Sequence, residues 1–519
     1  MSNSRTKNSA INATVAIVSK IIYIVLSFIC KTIFIKTLGT EYLGVNGLFT
    51  NILTILSFAE LGIGSAIIFK LYKPIANENK ERVKTLVHFY KKAYYAIGIF
   101  ILIVGLLIVP VLGIIVKDAP NIKENISGIY VLFLINTSIS YFFTHKKSII
   151  TGHQKEYIIN LITLVVTIIQ NILQIIFLLL THNYIVYLLL QIGATILDNV
   201  IAGIFANKMY PYIKEKNYTK IDKEEQKSIF NDVKSLLLYK LGYTLSNGTD
   251  NIIISFFSGV TAVGLLSNYT TITTAITSLT SSLFNGITAS IGNLNTIDDN
   301  KKKEKIFYQI LLVSFYIYGF VAICFTILAN KFVNIWLGEN FLLSFDIVII
   351  IGLNIYIDGM RYVGGAYRNT MGIFKNGRFI PLISSIVNII LSILLAKKLG
   401  MFGVLFATFI TRFCISTWFD PIYIHRHKFK TTSLKFVFTY MYYLLVLVIV
   451  FLIGNEVNSL IKLEGVLGFM VSAIVVAVLT VILFIIFTLK KYEFKELVNK
   501  VGNIIRRKNE KGNGNYTSI

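Results

Sequence analysis

Cysteine is scarce in this chain. Three residues in 519, Cys30, Cys324 and Cys414, all fall inside long apolar runs. That placement indicates neither a disulfide framework nor a thiolate metal site, so no metal ligand set is assigned. The six histidines scatter over loops and run ends. His425 and His427, two apart in a basic loop, read as a solvated patch rather than a ligand pair. Acidic residues number 26 against 50 Lys and Arg, and long polar stretches are missing. The longest polar gap, about 207 to 234, would hold one short helix, which excludes an enzyme with a water-soluble catalytic domain. A cleavable leader is not expected either: the first apolar run is too long, carries Lys20 and Lys31, and lacks a small-x-small exit.

What remains is apolar. Hydrophobic residues make up 55% of the chain and the mean hydropathy is +0.69. Runs of membrane-spanning length follow one another with short polar gaps, the pattern of an all-α polytopic membrane protein. Fourteen transmembrane helices are predicted, near 10–36, 42–68, 92–117, 125–145, 157–181, 184–207, 235–258, 262–294, 306–330, 343–370, 379–397, 401–424, 436–454 and 465–489. The first, third and later odd-numbered gaps hold few basic residues, among them Lys117, Lys123, Lys331, Lys397, Lys398 and Lys462. The termini and the other gaps carry most of the rest, which predicts both ends on the cytoplasmic side of the cell membrane. Basic loops over anionic lipid account for the net charge of +24, and no nucleic-acid partner is needed.

Residues recur at an offset of 220. Lys20 and Tyr23 return as Lys240 and Tyr243, Gly39 as Gly259, Gly44 as Gly264, Thr50 as Thr270, Gly152 as Gly372 and Lys155 as Lys375. Such a register predicts two related six-helix lobes, and two lobes around a central site are the usual construction of an alternating-access transporter. The predicted organisation is an N-terminal lobe over 1–210, a cytoplasmic loop over 211–234 and a C-terminal lobe over 235–425. Two lipid-facing helices follow over 435–490, then a cytoplasmic amphipathic tail over 491–519. In that tail Phe494, Leu497, Val498, Val501, Ile504 and Ile505 recur at helical spacing among lysines and arginines, as in a helix lying on the inner membrane surface.

Charges inside spans point to the site. An ionised side chain at mid-bilayer costs about 2.5–3.5 kcal/mol on insertion scales, so it normally faces a cavity or a partner. Lys20, Lys31 and Lys36 lie on the first span, Lys240 on the seventh, Arg361 and Arg368 on the tenth and Arg412 on the twelfth, against Glu60, Asp198, Asp250 and Asp358. Three helical turns take about 10.8 residues, so Lys20 and Lys31 share a face, with Ser27 between them. At the repeat offset the seventh span presents Lys240, Asn247 and Asn251. Converging faces would form a cationic chamber that binds anions through lysine and arginine. Asp358 and Arg361 could instead neutralise each other, and Lys31, Lys36 and Arg368 could snorkel to span ends. The eighth span carries Ser, Thr and Asn, including Thr273 and Thr277, where a lipid-facing helix would carry Leu. Those hydroxyls either line water or join helices.

Residues 34–67, F-I-K-T-L-G-T-E-Y-L-G-V-N-G-L-F-T-N-I-L-T-I-L-S-F-A-E-L-G-I-G-S-A-I, resemble the opening of Wzx-type polysaccharide flippases of the MOP superfamily. That superfamily includes the MATE exporters and the lipid II flippase MurJ. Residues 246–272, S-N-G-T-D-N-I-I-I-S-F-F-S-G-V-T-A-V-G-L-L-S-N-Y-T-T-I, resemble the start of that family's second half. The resemblance implies a MATE/MurJ-like fold and movement of an undecaprenyl-diphosphate-linked oligosaccharide from the inner to the outer leaflet, by alternating access. Polymerase and chain-length proteins of the same pathway would be its partners, beside membrane lipids. In that picture Lys20, Lys31, Lys240, Arg361, Arg368 and Arg412 would hold the diphosphate or acidic sugars. Asp250, Glu60, Asp198 and Asp358 are the candidates for coupling to a Na+ or H+ gradient, with no cofactor.

Two rival readings stand beside this. A MATE-like multidrug or cation antiporter shares the fold but must accept cations, against the surplus of basic residues. An integral-membrane polysaccharide polymerase would leave the repeat unexplained and would need a larger outer loop than the dozen or so residues available.

Overall fold

The computed structural model describes residues 2–60, 63–116, 122–215, 221–222, 224, 248–294, 299–371, 373, 377 and 379–500. Among these the regular elements are all helical. In chain order the main helices are α1 (Ser2–Leu38), α2 (Thr40–Leu56), α3 (Ile63–Ala76), α4 (Lys80–Ile108), α5 (Ile126–Gly152), α6 (Glu156–Thr181) and α7 (Tyr184–Met209). There follow α8 (Asp250–Ser258), α9 (Val260–Leu294), α10 (Asn300–Leu337), α11 (Phe345–Thr370) and α12 (Ile380–Thr411). The last are α13 (Thr417–Ile424), α14 (Leu434–Ser459) and α15 (Gly465–Thr488).

Local chemistry sets the ends. Asn79, Asn125, Asn183 and Asp299 accept backbone N–H bonds at the starts of α4, α5, α7 and α10, meeting donors that the first turn leaves unpaired. Gly39 (φ 99°, ψ 178°) and Gly259 (φ 83°, ψ 163°) break the chain before α2 and α9. That backbone region is essentially open to glycine alone. The two are equivalent positions of the repeat.

Among the described residues ten helical segments are long and apolar enough to cross a membrane, and the chain is a multi-pass membrane protein. Several predicted spans differ in detail. The span over 42–68 is broken into α2, a 3-10 turn (Ser57–Glu60) and α3. Most of 235–258 lies outside the described residues. The span over 262–294 forms the 35-residue α9, which its serines and threonines keep out of the apolar class. The spans over 379–397 and 401–424 are separated as expected, by non-helical backbone at Gly400 (φ 54°, ψ −134°) within α12, and the second continues through a π-helical turn, Arg412–Ser416, into α13.

By contacts the chain divides into two compact units, residues 1–279 with 378–407, and residues 280–377 with 408–519. In the first, α1 packs on α6, α4 on α5, and α5 and α6 on α7. Leu161, Val165, Ile169, Ile172, Ile176 and Leu180 form an exposed stripe on α6, an apolar face for lipid. In the second unit α10 packs on α11, α14 and α15 around buried aromatics that include Phe307, Phe315, Tyr356, Tyr367, Tyr440 and Tyr443.

The tail is placed differently from expectation over its described part. Residues 492–500 are helical, and Phe494 and Leu497 pack against the core of the second unit, while Val498 is exposed. Glu496 explains the seating: it pairs with Lys305 and accepts from Gln309 Nε2 at 2.6 Å. Val501, Ile504 and Ile505 lie outside the described residues.

Candidate functional site

The first unit holds a polar cavity of about 460 Å³, within the range of small-molecule sites. It is built from helix faces. From α1 come Tyr23, Ser27, Cys30, Lys31 and Phe34, and from α2 Asn46 and Thr50. From α6 come Thr167, Gln170, Asn171 and Gln174, from α7 Tyr187, Gln191 and Thr195, and from α9 Ser267 and Thr271. A second cavity of about 410 Å³ shares Tyr23, Ser27 and Thr271 and adds Lys20, Thr270, Thr274 and Ser278.

The two lysines of α1 reach the same helix. Lys31 Nζ donates to the Ser267 carbonyl at 2.5 Å, to Ser267 Oγ at 3.0 Å and to Thr271 Oγ1 at 2.6 Å. Lys20 Nζ donates to the Ser278 carbonyl at 3.2 Å. Eleven residues forward on α1 correspond to eleven back on α9, so the helices run antiparallel there. The expected shared face of Lys20, Ser27 and Lys31 is thus brought onto these cavities. Among the described residues Lys31 has no carboxylate partner, and neither cavity is lined by Asp or Glu.

The other expected positions fall elsewhere. Thr273 and Thr277 bond back to the carbonyls of Thr270 and Thr273. At 100° per residue they lie off the face that carries Ser267, Thr271, Thr274 and Ser278. Asn251 lies in α8 and Asp250 opens it. Glu60, in the 3-10 turn, lies beside Tyr94 and Tyr141. Asp198 pairs with Lys147 and accepts from Thr163 at 2.8 Å.

In the second unit, Asp358 binds both Arg361, at 3.2 Å, and Arg412, at 2.5 Å. Arg368 is buried and donates to Asp420 and to the Ile373 carbonyl, both at 3.3 Å. Arg361 is therefore paired as its spacing from Asp358 allowed, and Arg412 shares the same carboxylate, so the three groups keep one net positive charge. Lys240 and Asn247 lie outside the described residues.

The amide wall of α6 and α7 was missed from sequence. Its signal was there: Thr163, Thr167, Gln170, Asn171 and Gln174 recur at helical spacing opposite the lipid stripe of α6. A search among charges passes over them.

The profile of the polysaccharide biosynthesis protein family matches residues 9–289, more than half of the 519. The chain belongs to this family. No curated protein matches it at a significant level. Its fold is similar to that of the lipid II flippase MurJ in an inward closed conformation, at TM-score 0.64 and 17% identity over 91% of this chain and 98% of that one. It is also similar to an inward-facing multidrug resistance MATE family transporter of the MOP superfamily, at 0.61 and 15% over 78% and 95%. A Vibrio cholerae MATE transporter gives 0.55 and 13% over 82% and 99%. At these identities the likeness is one of fold, and the all-α MATE/MurJ-like architecture is established for this family member.

Proposed function

We propose that the chain is a flippase carrying undecaprenyl-diphosphate-linked oligosaccharide units from the inner to the outer leaflet of the cell membrane. It would serve synthesis of a capsule, exopolysaccharide or cell-wall glycan, working by alternating access with both termini cytoplasmic. The observation that carries this reading is Lys31, an ammonium held by neutral oxygens on a cavity with no lining carboxylate.

Magnitudes favour an anion there. A unit charge about 4 Å away at an effective dielectric near 20 interacts by about 4 kcal/mol. A net hydrogen bond contributes about 1 kcal/mol. An anionic diphosphate therefore gains several times what a neutral group gains, and a cationic drug is disfavoured by as much. This sets the reading apart from a MATE-like antiporter, whose fold is equally compatible. Lys20 would extend the anion site, and Lys240, Arg361, Arg368 and Arg412 are the further basic residues proposed to meet substrate. Asp250, Glu60, Asp198 and Asp358 are the proposed coupling residues for a Na+ or H+ gradient, and a polymerase and chain-length protein are the proposed partners. Acting as a transporter, the protein would make and break no covalent bond.

The test is reconstitution of the full chain into vesicles with fluorescent undecaprenyl diphosphate carrying a short glycan. Flipping should expose the label to an impermeant quencher faster than in empty vesicles. Equal rates with and without protein would overturn the proposal.

A further inference from the structure

Apart from its one ammonium group, the larger cavity offers amides and hydroxyls. Gln170, Asn171 and Gln191 line it together with Asn46, Tyr23 and Tyr187. Some of this capacity is used internally: Gln170 Nε2 donates to Gln174 Oε1 at 3.4 Å, Gln174 Nε2 to the Tyr187 carbonyl at 3.1 Å, and Asn171 Nδ2 to the Thr167 carbonyl at 2.8 Å. Among the described residues the Gln170 and Asn171 carbonyl oxygens and the whole Gln191 amide take no hydrogen bond within the protein and remain for a ligand. An amide both donates and accepts, and so does a sugar hydroxyl, so the two match at every rotamer of the hydroxyl. Tyrosine rings add flat apolar faces of the kind that the C–H faces of a pyranose cover.

A carboxylate-bearing sugar fits this wall poorly. An ionised carboxylate only accepts hydrogen bonds, and leaving water without its own cation is costly. Among the described residues Lys31 is the only Lys or Arg lining this cavity, and the diphosphate of the proposed substrate claims it. We infer that this cavity receives an uncharged sugar of the lipid-linked oligosaccharide, recognised by Gln170, Asn171 and Gln191, and that it discriminates against hexuronic acids. The inference rests on the flippase reading and narrows its substrate class.

The experiment uses the full chain purified in detergent and three probes: undecaprenyl diphosphate, the same lipid carrying one neutral hexose, and the same lipid carrying one hexuronic acid. Affinities are read from ligand-induced thermal shifts. The hexose-bearing lipid should bind about tenfold more tightly than the bare lipid, the effect of one or two net hydrogen bonds, and more tightly than the hexuronate form. The Gln170→Ala/Gln191→Ala variant should lose the hexose advantage, its affinity falling to that for the bare lipid. Equal or tighter binding of the hexuronate form overturns the inference and leaves the flippase reading standing. Binding of none of the three overturns that reading and the inference with it. The comparison of probes on the unmodified chain decides the matter even where the variant does not fold.

Discussion

Gly44 and Gly264 stand 220 residues apart and close the same contact from opposite sides. A Cβ at Gly44 would run into the Val260 carbonyl and lie 2.7 Å from Val260 Cγ1. At Gly264 it would run into the Thr40 carbonyl and lie 2.9 Å from Thr40 Cγ2 and 3.2 Å from the Gly44 nitrogen. Thr40 and Val260 are themselves one repeat apart, so the first turns of α2 and α9 cross through equivalent residues on both sides. Small residues that let backbones approach are what hold helices together where lipid offers no hydrophobic contrast.

Gly44→Ala and Gly264→Ala should therefore each lower stability by about 1–3 kcal/mol, the usual cost of overpacking. Gly193→Ala in α7, where a Cβ meets nothing within 4 Å, should be neutral or stabilising by up to about 1 kcal/mol through helix propensity. Thermal unfolding of the three variants in detergent, followed by size-exclusion, checks the order. A Gly44 variant as stable as the Gly193 variant would remove the repeat contact from the account.

Much of this was legible because it is periodic. The eleven-residue step from Lys20 to Lys31 fixes a shared face whatever the tertiary structure, and the repeat offset paired Gly39 with Gly259, which the structure shows breaking the chain alike. What could not be read depends on distance through space. Nothing local ties Arg412 to Asp358, 54 residues earlier. The lysines around Phe494 and Leu497 suit anionic lipid as well as they suit Glu496 or a protein surface. The amide wall was legible in principle, but uncharged polar groups mid-span are cheap enough to pass for helix contacts.

Lys31→Met keeps the apolar stem and removes the charge. Translocation in reconstituted vesicles should slow at least about tenfold, a loss of about 1.4 kcal/mol or more in substrate stabilisation, with protein level and monodispersity retained. Lys31→Arg should recover part of the rate, since the charge returns in a different shape. Wild-type rates in Lys31→Met would remove the anion-binding role from this residue.

Asp358 holds two guanidinium groups, and its side chain is 48% exposed. Asp358→Asn should destabilise by about 1 kcal/mol, the discounted worth of a half-solvated pair. The same change in an Arg412→Ala background should cost less, because one of the like charges is already gone. A double-mutant cycle on thermal stability measures the coupling. Strict additivity would mean that the Asp358–Arg412 contact contributes nothing.

The seating of the tail should depend on pH through Glu496. Hydrogen bonds from Lys305 and Tyr492 favour its ionised form and hold its carboxyl below the usual glutamate range. A carboxyl lowered in the docked state stabilises docking above its free value, about 4.3. That contribution is lost as pH falls through the lowered value, so docking should be constant from pH 8 to 5 and weaken below about 4. Gln309 sits between Glu496 and Lys500, donating to the first at 2.6 Å and accepting from the second at 2.7 Å, so protonation of one carboxylate loosens a chain of contacts. A spin label at the exposed Val498, in a background without the three native cysteines, reports tail mobility directly. Glu496→Gln should show at pH 7 the mobility that the unmodified tail reaches only in acid, and an immobile label in that variant would mean that apolar packing of Phe494 and Leu497 alone holds the tail.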